Sequence, residues 1–327
     1  MRRRQLLGGT AAALAAPLLL PSGVLAQEAW PSRPITLLVP WAPGGSNDIV
    51  ARLAAPVLSE RLGQSVVVEN RAGGGGSIGM GMVARARPDG HTLLVSSASN
   101  HVFHPLVAHD MGYDVREALA GIAMWVDVPN VLAVNPATGV TSVPELLARI
   151  RATRGGFSFG SSGTASSNHL AGELFRMMTN AELTHVPYRG GGPVATDLIA
   201  GVIPMAFMNL PTVIGPMQAG RIRVLGVCTE DRVRVRPDIP TVAEQGVPGY
   251  SVRSWTGLFA PRGTPRPVIE RLAAESRAML DVPSVATRLN DLASEPIFMD
   301  PDRTDAFVRA EFDRWGPVVR AARVTLD

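Results

Sequence analysis

The sequence contains no lysine, a single cysteine and few aromatic residues, and each shortage excludes something. All 31 basic residues among the 327 are arginine, which excludes Schiff-base chemistry and a phosphate-cradling P-loop lysine. Cys228 stands alone, so no intramolecular disulfide forms. It falls inside an apolar run that reads as strand, where a thiol packs as a small inert hydrophobe. Charged residues make up only 18% of the chain against 46% hydrophobic, too apolar a balance for a disordered protein. Beyond residue 26 there is no apolar run of the ~18 residues that a spanning helix needs, so a soluble mature protein is expected. Glycine and proline are plentiful, 33 and 27 residues, which implies many turns in a chain long enough for two domains.

Residues 1–26 carry the pattern of a cleaved secretory leader. Arg2, Arg3 and Arg4 form the positive start, residues 6–20 are apolar, and Val24-Leu25-Ala26 offers a cleavage site before Gln27. The run Arg3-Arg4-Gln5-Leu6-Leu7 also fits a twin-arginine signal, so the Sec and twin-arginine routes both stay open. No cysteine follows the apolar stretch, so no lipid anchor is expected. Cleavage removes three arginines and leaves 28 basic residues against 28 acidic ones. That balance points to neither nucleic acid nor a membrane surface.

Short apolar runs alternating with helical periods predict an α/β fold. Strands are predicted at 35–39, 66–68, 92–95, 131–134, 157–159, 184–186, 205–207 and 222–227. After the first strand, Ile49, Leu53, Val57 and Leu58 recur at helical spacing. Ser142-Val143-Pro144-Glu145 forms a capping box for a helix running to about Arg151. Leu170, Leu174 and Met178 mark another helix, and 267–279 and 302–321 two more. No linker rich in glycine, serine and proline divides the chain, so two lobes joined by crossing strands fit better than two separate beads.

Three strand ends lead into glycine- and serine-rich turns that open helices: 44–48, 163–167 and 188–192. The free N–H groups of such turns favour an anion. Each turn taken alone is equally an ordinary β–α connection, with Asn47 and Ser166 as N-caps. The run Gly73-Gly74-Gly75-Gly76-Ser77-Ile78-Gly79 satisfies both the dinucleotide G-x-G-x-x-G and the hydrolase G-x-S-x-G templates. Both require a strand directly before the turn, yet Asn70-Arg71-Ala72 intervene. His101, His104 and His109 can be drawn as a metal cluster, but Pro105 and the lack of an i,i+4 pair favour loop histidines. His169 either faces a ligand or is a first-turn helix residue bonded to backbone, and no third member completes a Ser162 or Ser166 triad with it. Trp41 and Trp255 sit beside turn residues, where aromatics line clefts or pack cores.

Across residues 30–320 the sequence resembles the Bug periplasmic solute receptors, the substrate-binding subunits of tripartite tricarboxylate transporters. The resemblance is carried by Trp30-Pro31-Ser32-Arg33-Pro34-Ile35, Pro43-Gly44-Gly45, Val67-Val68-Glu69-Asn70-Arg71 and Pro88-Asp89-Gly90-His91-Thr92-Leu93. It continues through Gly160-Ser161-Ser162-Gly163, His185-Val186-Pro187-Tyr188-Arg189-Gly190 and Trp255-Thr256-Gly257-Leu258-Phe259-Ala260-Pro261. It implies a two-lobed, type II-like periplasmic binding protein with the ligand cleft between lobes. Lobe 1 would comprise residues 27–126 plus 255–327 and lobe 2 residues 127–254, hinged near residues 126 and 254. It implies a monomeric receptor for a small carboxylate, partnered by the integral-membrane subunits of the transporter, with no catalytic residues, cofactor or metal. The implied ligand residues are Trp41, Gly44, Gly45, Ser46, Asn47 and Asp48 on the first loop, Ser162, Gly163, Thr164, Ser166 and His169 on the second, and Gly76, Ser77, Ser97, Ser99, Tyr188, Met208 and Asn209 around them. Ala165 replaces a glycine common in the family, and Pro204 and Met208 replace common aspartates. With Met208 there, a ligand ammonium would lack its partner, so a carboxylate without an amine is expected. A sensor presenting its ligand to a signalling partner shares all these features; a secreted hydrolase using Ser77 or Ser162 is the alternative from another class.

Overall fold

The computed structural model describes residues 30–108 and 111–325. The leader, the expected start at Gln27 and His109 lie outside the described residues. Contacts separate Met1–Trp30 from Pro31–Asp327, and the second unit carries the fold. Its strands are β1 (Ile35–Val39), β2 (Val66–Asn70), β3 (Thr92–Ser97), β4 (Leu119–Val134), β5 (Phe157–Ser161), β6 (Leu183–Pro187), β7 (Met205–Asn209), β8 (Arg223–Val227), β9 (Arg253–Pro261) and β10 (Glu295–Met299). No helix among the described residues is long and apolar enough to cross a membrane.

The strands order as β2-β1-β3-β9-β4-β7-β5-β6, with β8 and β10 added along β4. β1 pairs parallel with β2 and β3, and β5 pairs parallel with β6 and β7. Four of the five β1 residues are buried, as expected of an apolar run covered by helices on both faces. Between these parallel groups runs β4, 16 residues long. From Leu119 to Pro129 it pairs antiparallel with β9, and from Asn130 to Val134 with β7 and β8. The predicted strand at 131–134 is only the end of this element. Asp127, Pro129 and Asn130 interrupt the apolar pattern and hide the remainder.

The helix Ser46–Leu62 closes at Gly63, whose N–H donates to the Ser59 carbonyl at 3.0 Å with φ +68°, the usual left-handed helix stop. Its buried stripe is Val50, Ala51, Ala54, Ala55, Leu58 and Leu62. The periodicity read at Ile49, Leu53 and Val57 instead marks the half-buried flank. Alanines face the sheet because the helix packs closely there, and alanines carry little hydrophobic signal. The capping box is real but rearranged. Ser142 Oγ accepts from Glu145 N, while the Glu145 carboxylate takes the N–H and hydroxyl of Thr141.

Two apolar clusters flank the sheet. One contains Phe103, Trp255, Phe259 and Trp315; the other contains Val131, Val194, Met208 and Leu210. Trp255 is 1% exposed within β9 and meets the Phe259 and Phe307 rings, so of the two readings open for it the structure selects core packing. Cys228 lies one residue past β8 rather than inside it. It is fully buried beside the Tyr250 hydroxyl, and burial pushes its thiol up to about 12.

Just before β4 changes partners, Asp127 pairs with Arg253 at 2.7 Å. Burial, with Glu295 adding, outweighs Arg253 and pushes this carboxyl from 3.8 up to about 7. A carboxyl raised in the folded state binds its proton more tightly there than when unfolded. Its contribution is therefore complete below pH 3.8 and is lost as pH rises through about 7. Asp127→Asn removes that loss. Thermal unfolding at pH 5 and pH 8 is expected to show a smaller fall in Tm for the variant, by about 2 °C or more.

Candidate functional site

A cavity of about 510 Å³ opens where the carboxyl ends of strands from both parallel groups meet. Open α/β sheets place ligand crevices there because each strand ends in a turn that begins a helix. After β1, residues 41–47 form one wall; Ser97 and Ser99 follow from β3. Ser162 comes from the end of β5, residues 189–193 from β6, Asn209 and Thr212 from β7 and beyond, and Ser254 from β9.

The first wall is held by Asp48, whose carboxylate accepts from Gly44 N at 2.8 Å, Asn70 Nδ2 at 2.9 Å and Arg52 Nε at 3.0 Å. Burial opposes ionisation, but these donors prevail and hold Asp48 below the usual carboxylate range. Asp48 does not itself line the cavity. Gly45, not Asn47, is the N-cap of the helix Ser46–Leu62. Asn47 sits inside the first turn, 4% exposed, and its Oδ1 accepts from Thr256 Oγ1 at 3.2 Å. Its Nδ2, itself shielded from solvent, has no partner among the described residues. The N–H groups of this first turn also lack intrahelical acceptors.

Asn100 fixes the neighbouring wall. Its Oδ1 accepts from Ser97 N and Oγ at 3.0 and 2.8 Å and from Trp41 Nε1 at 3.4 Å. Trp41 is half-buried on the cavity wall, so for it the cleft reading holds. Gly76 explains part of the glycine run: at φ +95° an added Cβ would come within 2.7 Å of Asn100 Cβ. Gly76 and Ser77 serve this packing and do not line the cavity.

On the other side, Asn168 Nδ2 donates to Ser162 Oγ at 2.9 Å and Asn209 Oδ1 at 3.1 Å. Asn168 is positioned by Asn130, whose Nδ2 donates to Asn168 Oδ1 at 2.5 Å and Ser167 Oγ at 3.1 Å. Ser167 N in turn donates to Ser99 Oγ at 3.0 Å, joining turns that follow β3 and β5. Ser166 caps the helix Ser167–Thr179, accepting from His169 N at 3.1 Å. Gly163 and Thr164 form the turn before it without reaching the cavity wall. Ala165 takes φ +57°, a left-handed conformation that costs an L-residue roughly 1–2 kcal/mol.

Three expected ligand residues point elsewhere. Tyr188 donates its hydroxyl to Asp197 at 2.8 Å. Met208 is 1% exposed within the Val131 cluster, because its register on β7 turns it away from the cavity. Met208 is therefore in no position to select for or against a ligand amine. His169 is the backbone-bonded residue of its two readings: Ala165 N donates to its Nδ1 at 3.1 Å, which leaves the proton on Nε2, 3.7 Å from Glu173. Sequence reasoning did not single out Asn100, Asn130 or Asn168; the cavity-lining Arg189 it placed in the anion-favouring turn 188–192 without naming it as a ligand residue. The signal for Asn130 was a polar residue inside a long apolar stretch.

Buried histidines back these turns. The His169 and His185 rings stack with centroids 3.6 Å apart, and His185 Nε2 lies 2.6 Å from Ser161 Oγ. Burial, with the charge of His169 adding, pushes His185 down to about 3. His101 and His104 are not loop residues; they lie on the helical run Ser99–Phe103 and His104–Val107, both buried. His101 Nδ1 lies 3.0 Å from Ser96 Oγ with its ring 4.1 Å from Phe259, and burial pushes it down to about 3. A histidine depressed in the folded state binds protons more readily when unfolded. Its contribution is complete above pH 6.5 and is lost as pH falls toward 3, the opposite sense to Asp127. Urea unfolding of His101→Gln between pH 7 and 5 is expected to show a pH slope about one proton smaller than wild type.

Residues 50–324 match the model of a family described as tripartite tricarboxylate transporter family receptor. A Pseudomonas sp. protein encoded in the tcbD-tcbE intergenic region is 38% identical over 97% of this chain and 94% of its own length. The structure of R. palustris Rpa4515 with adipate is 38% identical, with a TM-score of 0.87 over 90% of this chain and 99% of that one. The periplasmic binding protein BugD is 30% identical, with a TM-score of 0.83 over 90% of this chain and 99% of that one. The chain belongs to the tripartite tricarboxylate transporter receptor family and has the α/β fold of these binding proteins.

Proposed function

We propose that this protein is a non-enzymatic periplasmic receptor that captures a small carboxylate in the cavity and delivers it to the membrane subunits of a tripartite transporter. One observation carries the ligand class. Gly45, Ser46 and Asn47 open a helix on the cavity wall, and the N–H groups of that first turn have no intrahelical acceptor. A buried donor left unmade costs about 1–3 kcal/mol, which an acceptor on the ligand recovers. The adipate-bound relative supports this chemistry. No aspartate or glutamate joins the cavity wall among the described residues, so an amine on the ligand would find no counter-charge. The leader pattern of residues 1–26 and the likeness to BugD support the periplasmic location.

A hydrolase reading finds little to build on. Ser162 Oγ accepts from Asn168, and neither histidine nor carboxylate lines the cavity among the described residues.

Closure by hinge motion is part of the proposal, with the hinge near residues 126 and 254. It is supported by the change of β4 partners after Pro129 and by the cavity drawing on both parallel groups. X-ray scattering with saturating adipate is expected to show a smaller radius of gyration than the unliganded protein.

Gly45 has φ −74° and ψ 165°, and an added Cβ meets only the Ala42 carbonyl at 3.6 Å. Gly45→Val is therefore expected to fold with a Tm near wild type while filling cavity space. In calorimetry, wild type is expected to bind adipate saturably and the variant not at all. Wild type is also expected to bind succinate at least tenfold more tightly than aspartate, because a buried unpaired ammonium costs several kcal/mol. Absence of binding by any carboxylate would overturn the reading.

A further inference from the structure

The cavity wall is electrostatically lopsided. Among its described residues, Arg189 is the one ionisable side chain, and it is a cation. Other arginines close to these turns are committed to acids: Arg52 to Asp48, Arg71 to Glu69 and Arg253 to Asp127. Arg189 is exposed and has no ion pair, hydrogen bond or ring contact among the described residues. A guanidinium is permanently charged and offers a planar fork of donors matched to a carboxylate.

Its placement matters as much as its charge. Arg189 follows β6, whereas the Gly44–Asn47 turn follows β1, and these strands belong to different parallel groups of the sheet. The cavity therefore has a neutral donor wall from one group and a cationic wall from the other. Ala42, Pro43 and Pro193 add apolar surface to it. The volume of about 510 Å³ falls within the ~300–1,000 Å³ typical of small-molecule pockets. A ligand complementary to this arrangement carries an acceptor at each end and methylenes between.

We propose that Arg189 is the residue by which this cavity selects a ligand with a second carboxylate over a monocarboxylate. One carboxylate sits on the N–H groups of the Gly44–Asn47 turn; the other meets the Arg189 guanidinium. The inference rests on the carboxylate reading above and adds the second charge. Arg189 is exposed, so solvent screens part of the contact. The selectivity it supplies is accordingly at least tenfold rather than many thousandfold.

Calorimetry with adipate and hexanoate tests this, because the two acids share a six-carbon chain and differ in the second carboxylate. Wild type is expected to bind adipate at least tenfold more tightly than hexanoate. Arg189→Gln is expected to weaken adipate to the hexanoate level while leaving hexanoate unchanged, and Arg189→Lys to retain part of the preference. Arg71→Gln removes the same charge from an arginine outside the cavity wall, and both affinities are expected to stay at wild-type values. Thermal unfolding of each variant checks that the fold is intact. Equal binding of the two acids by wild type, or an adipate preference that survives Arg189→Gln, overturns the role of Arg189 and leaves the carboxylate reading standing. Loss of hexanoate binding in Arg189→Gln shows a structural role for the loop and also overturns it. Failure of wild type to bind adipate, hexanoate and succinate alike defeats the carboxylate reading itself.

Discussion

Strand β4 offers its edges to four other strands, and the cavity lies where those partners change. Up to Pro129 its backbone is committed to β9, and from Asn130 onward to β7 and β8. Proline has no N–H to contribute to a ladder, so Pro129 suits the point where one pairing ends. Asn130 does two things at that point. Its carbonyl accepts from Cys228 N at 2.8 Å, and its side chain holds Asn168 and Ser167 at the start of a helix that borders the cavity. The covalent continuity of one strand thus aligns the strand ends of two parallel groups on a common space.

Around that space a shell of buried polar side chains orients the groups that face it. Asp48, Asn100 and Asn168 contribute little or nothing to the wall, yet Asn100 and Asn168 each fix two of its members and Asp48 fixes Gly44. Such networks are costly when half satisfied, because a low local dielectric magnifies both the made and the unmade bond. Asn47 is an exception: it lines the cavity, and its buried Nδ2 has no partner among the described residues. His101 and His185 stay neutral because burial penalises their charged form, and both pack as aromatic rings.

Much of the fold is legible in the amino-acid sequence. The buried strands β1 and β3 are short aliphatic runs bounded by turns, the pattern that burial on both faces imposes. The helix beginning at Ser167 shows itself through Ser166 and a regular apolar stripe. Less legible are β9 and β10 and most of β4, because a strand that changes partners is punctuated by polar and proline residues that mimic loop. The helix Ser46–Leu62 is visible in the sequence, but of its apolar positions only Leu58 lies in the buried stripe while Ile49, Leu53 and Val57 flank it, since alanine buries well without looking hydrophobic. Within the site, the glycine- and serine-rich turns after β1 and β5 stand out, and Gly44, Gly45, Ser46, Asn47 and Ser162 do reach the cavity. Met208, Tyr188 and His169 do not follow, because strand register and local hydrogen bonds decide where a side chain points.

The sequence by itself determined the α/β class, the places where strands give way to helix-opening turns, and the kinship carried by ordered motifs. Those are properties of local propensity and short-range patterning, written within a few residues of one another. Only the tertiary structure decided which turns share a cavity, that Trp41 faces it while Trp255 is core, and that Arg189 is the lone charge among the described residues of its wall. These depend on strand order and register across the sheet, and contacts between residues more than a hundred positions apart leave no periodic trace in the chain.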